Sequence, residues 1–142
     1  MSISSRFAGD DDFDWLFERC GVPDEQLVRD LISCRQFMVA ESEGTRDGLL
    51  HLGFFYGKTP MIQRIHVEAN KDAELTAERL LAFLEDRLRE MNFQSLMSGS
   101  NSIEGDADAW HERSGFEKSS LYSDASTGET IQLYQKKLSP SG

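Results

Sequence analysis

Only two of the 142 residues are cysteine, Cys20 and Cys34, and each falls among apolar neighbours of a helix-like pattern. A free thiol there behaves as a small hydrophobe. A disulfide framework is not expected, and two cysteines without a histidine cluster make no zinc site. No apolar run approaches the roughly 20 residues of a membrane helix; the longest, residues 48–56, contains His51. The first residues have no apolar core and turn acidic by Asp10, so no signal peptide is expected. Positive charge is scarce: 15 Lys and Arg against 25 Asp and Glu leave a net charge of −10. Such a field repels phosphate backbones, which argues against nucleic acid, and draws cationic partners. These absences leave a reduced, cytoplasmic protein as the expectation. With 39% hydrophobic residues, the chain can bury one core, and residues 1–142 are expected to form a single domain.

The hydrophobic spacing predicts the elements. An extended start at residues 3–8 precedes Asp10, Asp11 and Asp12, carboxylates suited to a helix N-terminus. Phe13, Leu16, Phe17 and Cys20 follow a helical period, and Leu27, Val28, Leu31 and Ile32 mark a second helix face. Strands are expected at 37–43, 49–56 and 61–68, with turns at 44–48 and 57–60. A long helix over 72–91 carries Ala77, Leu80, Leu81, Leu84, Leu88 and Met91 on one stripe. A short strand at 94–97, a helix at 105–114 and strands at 116–122 and 130–138 complete the order. The tail Ser139-Pro140-Ser141-Gly142 has the composition of a segment that frays unless tied down. The class is α/β (α+β), ordered β-α-α-β-β-β-α-β-α-β-β.

One corner is more specific than the rest. In Ala109-Trp110-His111-Glu112-Arg113-Ser114-Gly115-Phe116, Gly115 can adopt positive φ as a helix stop, while Phe116 anchors the next strand. With this element order, and with Ile62-Gln63-Arg64-Ile65-His66-Val67 ahead of the long helix, the chain resembles the GNAT superfamily of N-acetyltransferases. The resemblance spans residues 7–138. It implies a mixed, mostly antiparallel sheet with helices on both faces, in which the fourth strand splays from the fifth around acetyl-CoA. It also implies a pyrophosphate held by backbone N–H groups where the long helix starts, and acyl transfer to a primary amine.

Residue by residue, the resemblance places backbone of Ile65 and Val67 against the pantetheine arm and Ala77 in the phosphate loop. Asn101 becomes a loose match for a cofactor-arm contact, since strict register falls on Glu104. His111 stands at the position of the family's leaving-group acid. A histidine with pKa near 6.5 can, in its protonated form, pass a proton to a thiolate, whose ordinary pKa is near 8.5. His66 and Glu68 alternate on one strand face, where either could serve as base, as could Gln63 through a water. The phosphate loop departs from the family. Its Arg or Gln position is Asp72, its first glycine is Leu75, and no glycine occurs between Gly57 and Gly99. Asp72 and Glu74 would repel pyrophosphate, and a gapped alignment brings Lys71 near it. Trp15, Phe17 and Phe54 read as core, and the Asp10–Asp14 cluster as a solvated helix start or an amine-binding rim.

Two functions follow. One is an acetyl-CoA-dependent transferase acting on a cationic amine, which suits the acidic balance. The other is an inactive GNAT-fold module for a protein partner or an assembly. Degenerate members of this size occur among phage proteins, some of them in the virion.

Overall fold

The computed structural model describes residues 2–69 and 71–139; of the tail, Pro140, Ser141 and Gly142 lie outside the described residues. Seven strands form one sheet in the order β1-β2-β3-β4-β5-β7-β6. They are β1 Ser4–Phe7, β2 Phe37–Ser42, β3 Thr45–Phe55, β4 Thr59–Val67, β5 Ser95–Gly99, β6 Glu117–Ser123 and β7 Thr130–Lys137. Only β4 and β5 run parallel. The helices are α1 Phe13–Phe17, α2 Glu25–Ser33, α3 Ala73–Glu90 and α4 Ala107–Arg113. No helix among them is long and apolar enough to cross a membrane.

The central strands are buried on both faces, which is why they read as continuous apolar runs. Met38, Ala40, Leu50, Leu52, Ile62 and Ile65 point to the face covered by α3, through Leu80, Leu81, Leu84 and Leu88. Phe37, Val39 and Leu49 point the other way, against Phe13, Leu16, Val28 and Ile32 of α1 and α2. At the corner Gly115 takes φ +88° and Phe116 enters the α3-side core, as the sequence predicts.

Three local expectations are corrected. The β2–β3 turn is tight, with Glu43 and Gly44 at φ +51° and +78°, so Gly48 lies inside β3 rather than in the turn. A Cβ at Gly48 would come within 2.7 Å of the His66 carbonyl oxygen and 2.9 Å of Thr76 Cγ2; only glycine lets β3, β4 and the start of α3 approach this closely. The next turn also falls earlier, over the three residues Tyr56, Gly57 and Lys58 between the paired Phe55 and Thr59, with Tyr56 and Gly57 at φ +53° and +68°. Leu27 is 46% exposed, because α2 buries only the Val28–Ile32 side of its apolar face.

Candidate functional site

The β4–β5 junction is where the architecture could form a cleft. Register between β3 and β4 shifts between His51 and Leu52, so that His51 faces Arg64 while Leu52 faces Ile62. The residue skipped on β4 is Gln63, and such a bulge bends its strand. Before it, Met61 and Ile62 pair with Met97 and Ser98 of β5; after it, β4 leaves β5.

The chain itself fills the gap. The Ile65 N–H donates to the Ser102 carbonyl at 2.7 Å, and Ile65 bridges Ile103 in parallel sense. Ser102, only 1% exposed, fixes this crossing through its hydroxyl. Oγ–H donates to the Ile62 carbonyl at 2.9 Å and accepts from the Gly99 N–H at 3.0 Å. The segment after β5 thus meets β4 at the backbone position expected for a cofactor arm. Val67 packs against the α3-side core. Asn101 is exposed at the outer side of this crossing, and the nearby Glu104 lies 3.8 Å from Arg64.

The start of α3 is equally occupied. Asp72 is its N-cap, its carboxylate accepting from the Leu75 N–H at 3.0 Å. Glu74 reaches Arg113 of α4 at 3.5 Å, and Lys71 is held 3.1 Å from buried Asp47. Ala77 is 1% exposed within the core. Beside it, a cavity of about 510 Å³ between α3 and α4 is lined by Glu74, Glu78 and Glu85, with Trp110, Arg113 and Lys136.

His111 is 1% exposed. Its Nδ1 lies 2.6 Å from the Ala107 carbonyl and its Nε2 2.8 Å from Ser98 Oγ. A carbonyl only accepts, so Nδ1 carries the proton and Nε2 accepts from the serine. Trp110, Phe116 and Tyr134 surround the ring edge-on. Burial lowers the His111 pKa, against an opposing hydrogen bond to Ala107. The imidazole is therefore neutral and both nitrogens are engaged, an arrangement that ties α4 to β5. Tyr134 donates to Asp108 at 2.9 Å, and its pKa is raised to about 12, chiefly by burial.

His66 and Glu68 do meet, at 2.7 Å between Nε2 and Oε2, and Arg19 donates to the other Glu68 oxygen at 2.9 Å. Burial acts to raise the Glu68 pKa, but the His66 and Arg19 hydrogen bonds outweigh it and hold the carboxyl below its ordinary value. A carboxylate so stabilised is a poor base. In the acidic cluster, Asp12 is buried and taken up by Arg6 at 2.7 Å and Arg46 at 2.7 Å, so it fastens β1 and β3 to α1. Ser98, Ser102, Arg19 and Tyr134 were invisible to spacing, since each acquires its partner only through long-range packing. Among the described residues no group of three or more His, Cys, Asp or Glu could hold a metal ion.

Solved structures share this architecture. An acetyltransferase of the GNAT family from Bacillus cereus ATCC 10987 superposes with a TM-score of 0.75 at 15% identity, covering 96% of this chain and 98% of that one. The ribosomal-protein-S18-alanine N-acetyltransferase from Escherichia coli gives 0.73 at 14% identity, over 99% and 97%. A putative acetyltransferase from Salmonella typhimurium, solved with acetyl-CoA, gives 0.77 at 18% identity, over 100% and 97%. No family model matches the sequence, and no curated protein matches it either. The fold is that of the GNAT N-acetyltransferases, as the corner and the element order predict.

Proposed function

We propose that this chain is a GNAT-fold binding module that does not use acetyl-CoA in the family's manner. The observation that carries the reading is the Ile65 N–H, which is given to Ser102 and not left open for a ligand. The cap that Asp72 places on α3 supports it, because the Leu75 N–H at the start of the helix already has a carboxylate, where a phosphate would otherwise bind. Glu74 and Glu78 would face any polyphosphate laid between α3 and α4. On this reading the residues do not fit acetyl-CoA, and no acyl-transfer step runs through them. The net charge of −10 suits a cationic protein partner, or a place in an assembly such as a virion.

Acetyl transfer to an amine keeps one observation in its favour, namely that β4 still bends away from β5 beyond Gln63. Calorimetric titration with acetyl-CoA decides between the two, alongside thiol release in the presence of polyamines, aminoglycosides and basic peptides. No heat up to millimolar cofactor and no thiol release are expected. Micromolar binding, or turnover on any acceptor, would overturn the module reading.

A further inference from the structure

A second cavity, of about 310 Å³, lies at the other end of α3. Its floor is apolar, formed by Met38 of β2, Leu52 of β3, and Leu84 and Leu88 of α3. Leu84 stands 12 residues beyond Asp72, roughly 18 Å along the helix, so this cavity is separate from the β4–β5 junction.

The rim departs from what stability alone would select. Arg35, which lines the cavity, ends α2 with φ +59°, a left-handed conformation that strains any residue with a side chain. The chain uses glycine after α1 and α4, where Gly21 and Gly115 have φ +77° and +88°. Among the described residues Arg35 has no carboxylate partner; its guanidinium lies 5.4 Å from the centre of the Phe7 ring. Across the rim, Arg87 Nε is buried without an acceptor. Arg87 Nη1 reaches Glu90 at only 3.3 Å on the exposed side. A buried donor left unpaired requires a reason. So does an uncommitted arginine held in a strained backbone, and strain of this kind collects at ligand sites.

We infer that this cavity binds a medium-sized amphipathic monocarboxylate, its aliphatic or aryl body on Met38, Leu52, Leu84 and Leu88 and its carboxylate on Arg35 and Arg87. The size and the apolar lining with a few polar groups are those of small-molecule sites. Two arginines against one Glu90 leave one net positive charge, which favours a monoanion over a dianion.

The test compares sodium octanoate, 1-octanol and octylamine by calorimetry on the full chain, with amide NMR shifts locating the site. Octanoate is expected to bind at about 1 mM or tighter, shifting Leu52 and Leu84, with the alcohol and the amine at least tenfold weaker. Arg35→Gly and Arg87→Gln should each weaken octanoate at least tenfold. Arg35→Gly should keep or raise Tm, since glycine relaxes the left-handed position. That variant keeps the test meaningful if Arg87→Gln folds poorly. Equal affinity for octanoate and octanol would overturn the proposal. So would full octanoate affinity in Arg35→Gly, or no octanoate binding at about 10 mM.

Discussion

Replacing Ser102 by alanine tests whether the β4–β5 junction is closed from within. The hydroxyl serves two buried backbone groups, donating to the Ile62 carbonyl at 2.9 Å and accepting from the Gly99 N–H at 3.0 Å. Ser102→Ala orphans both. Each orphan costs about 1–3 kcal/mol, so the two together should weaken the segment by about 2–6 kcal/mol. That is a large share of a typical total stability of about 5–15 kcal/mol. The Ser102 carbonyl covers the Ile65 N–H, so local opening exposes that amide. At about 1.4 kcal/mol per factor of ten, Ile65 should exchange roughly 30-fold faster or more in the variant. Site-resolved hydrogen exchange measures this, with the Leu84 amide in α3 reporting global unfolding. An unprotected Ile65 in the wild type would refute the closure. Equal acceleration of Ile65 and Leu84 would refute the idea that the segment opens by itself.

Other outcomes follow from the same contacts. Asp12→Ala leaves Arg6 and Arg46 without their shared carboxylate, and chemical denaturation should show a loss of about 3 kcal/mol; a change under 1 kcal/mol would show that solvent screens these pairs. His111→Phe removes the partner of buried Ser98 Oγ and should cost about 1–3 kcal/mol, read as a lowered Tm with the fold retained; an unchanged Tm would contradict the proposed tie. Burial pushes His51 down to about 4 and also lowers His111. With folded pKa values below the unfolded value near 6.5, stability is full above pH 6.5 and falls as pH drops toward 4. His51 alone contributes on the order of 3 kcal/mol to that loss. Urea titrations at pH 7.5, 5.5 and 4.5 should show the decline, and His51→Phe should flatten it; a flat wild-type profile would refute the assignment.

What the sequence made legible was whatever depends on neighbours close along the chain. The α3 stripe from Ala77 to Leu88, the Asp72 cap and the Gly115 corner are local patterns, and each stands where the spacing puts it; Met91, expected to end the stripe, caps the helix instead and is 63% exposed. The residue that misled was Gly48, which reads as a turn but is required by the His66 carbonyl and Thr76, 18 and 28 positions away. Leu27 misled for a related reason, since a periodic face says which side is apolar but not how much of it a partner covers. At the candidate site, position was legible and role was not. His111 was found through its corner, yet its proton is committed to the Ala107 carbonyl and its other nitrogen to Ser98, thirteen residues back on another element. Ser102 carried no signal at all, because one serine in a polar loop is unremarkable until β4 lies against it.

Groups that an acyl-CoA ligand would use are taken up in three separate places: the Ile65 N–H by Ser102, the Leu75 N–H of α3 by Asp72, and the His111 nitrogens by Ala107 and Ser98. On the proposed module reading, the coincidence of three makes closure of the cleft a property of the whole fold and not of one residue, and it predicts non-additive recovery. Asp72→Gln with Glu74→Gly removes two carboxylates from the phosphate end, but Ile65 stays covered, so acetyl-CoA should remain unbound. Adding Ser102→Ala frees the strand and should bring binding into the millimolar range. Loss of the cap and a glycine in the first turn cost about 1 kcal/mol each. With the Ser102 orphans the combined variant loses about 4–8 kcal/mol, so Glu74→Gln is the safer change at position 74 and titrations belong near 10 °C. Tenfold tighter binding in the double variant alone would show that the carboxylates, and not the Ser102 crossing, keep the cofactor out. No binding in a folded triple variant would place the obstacle at neither end.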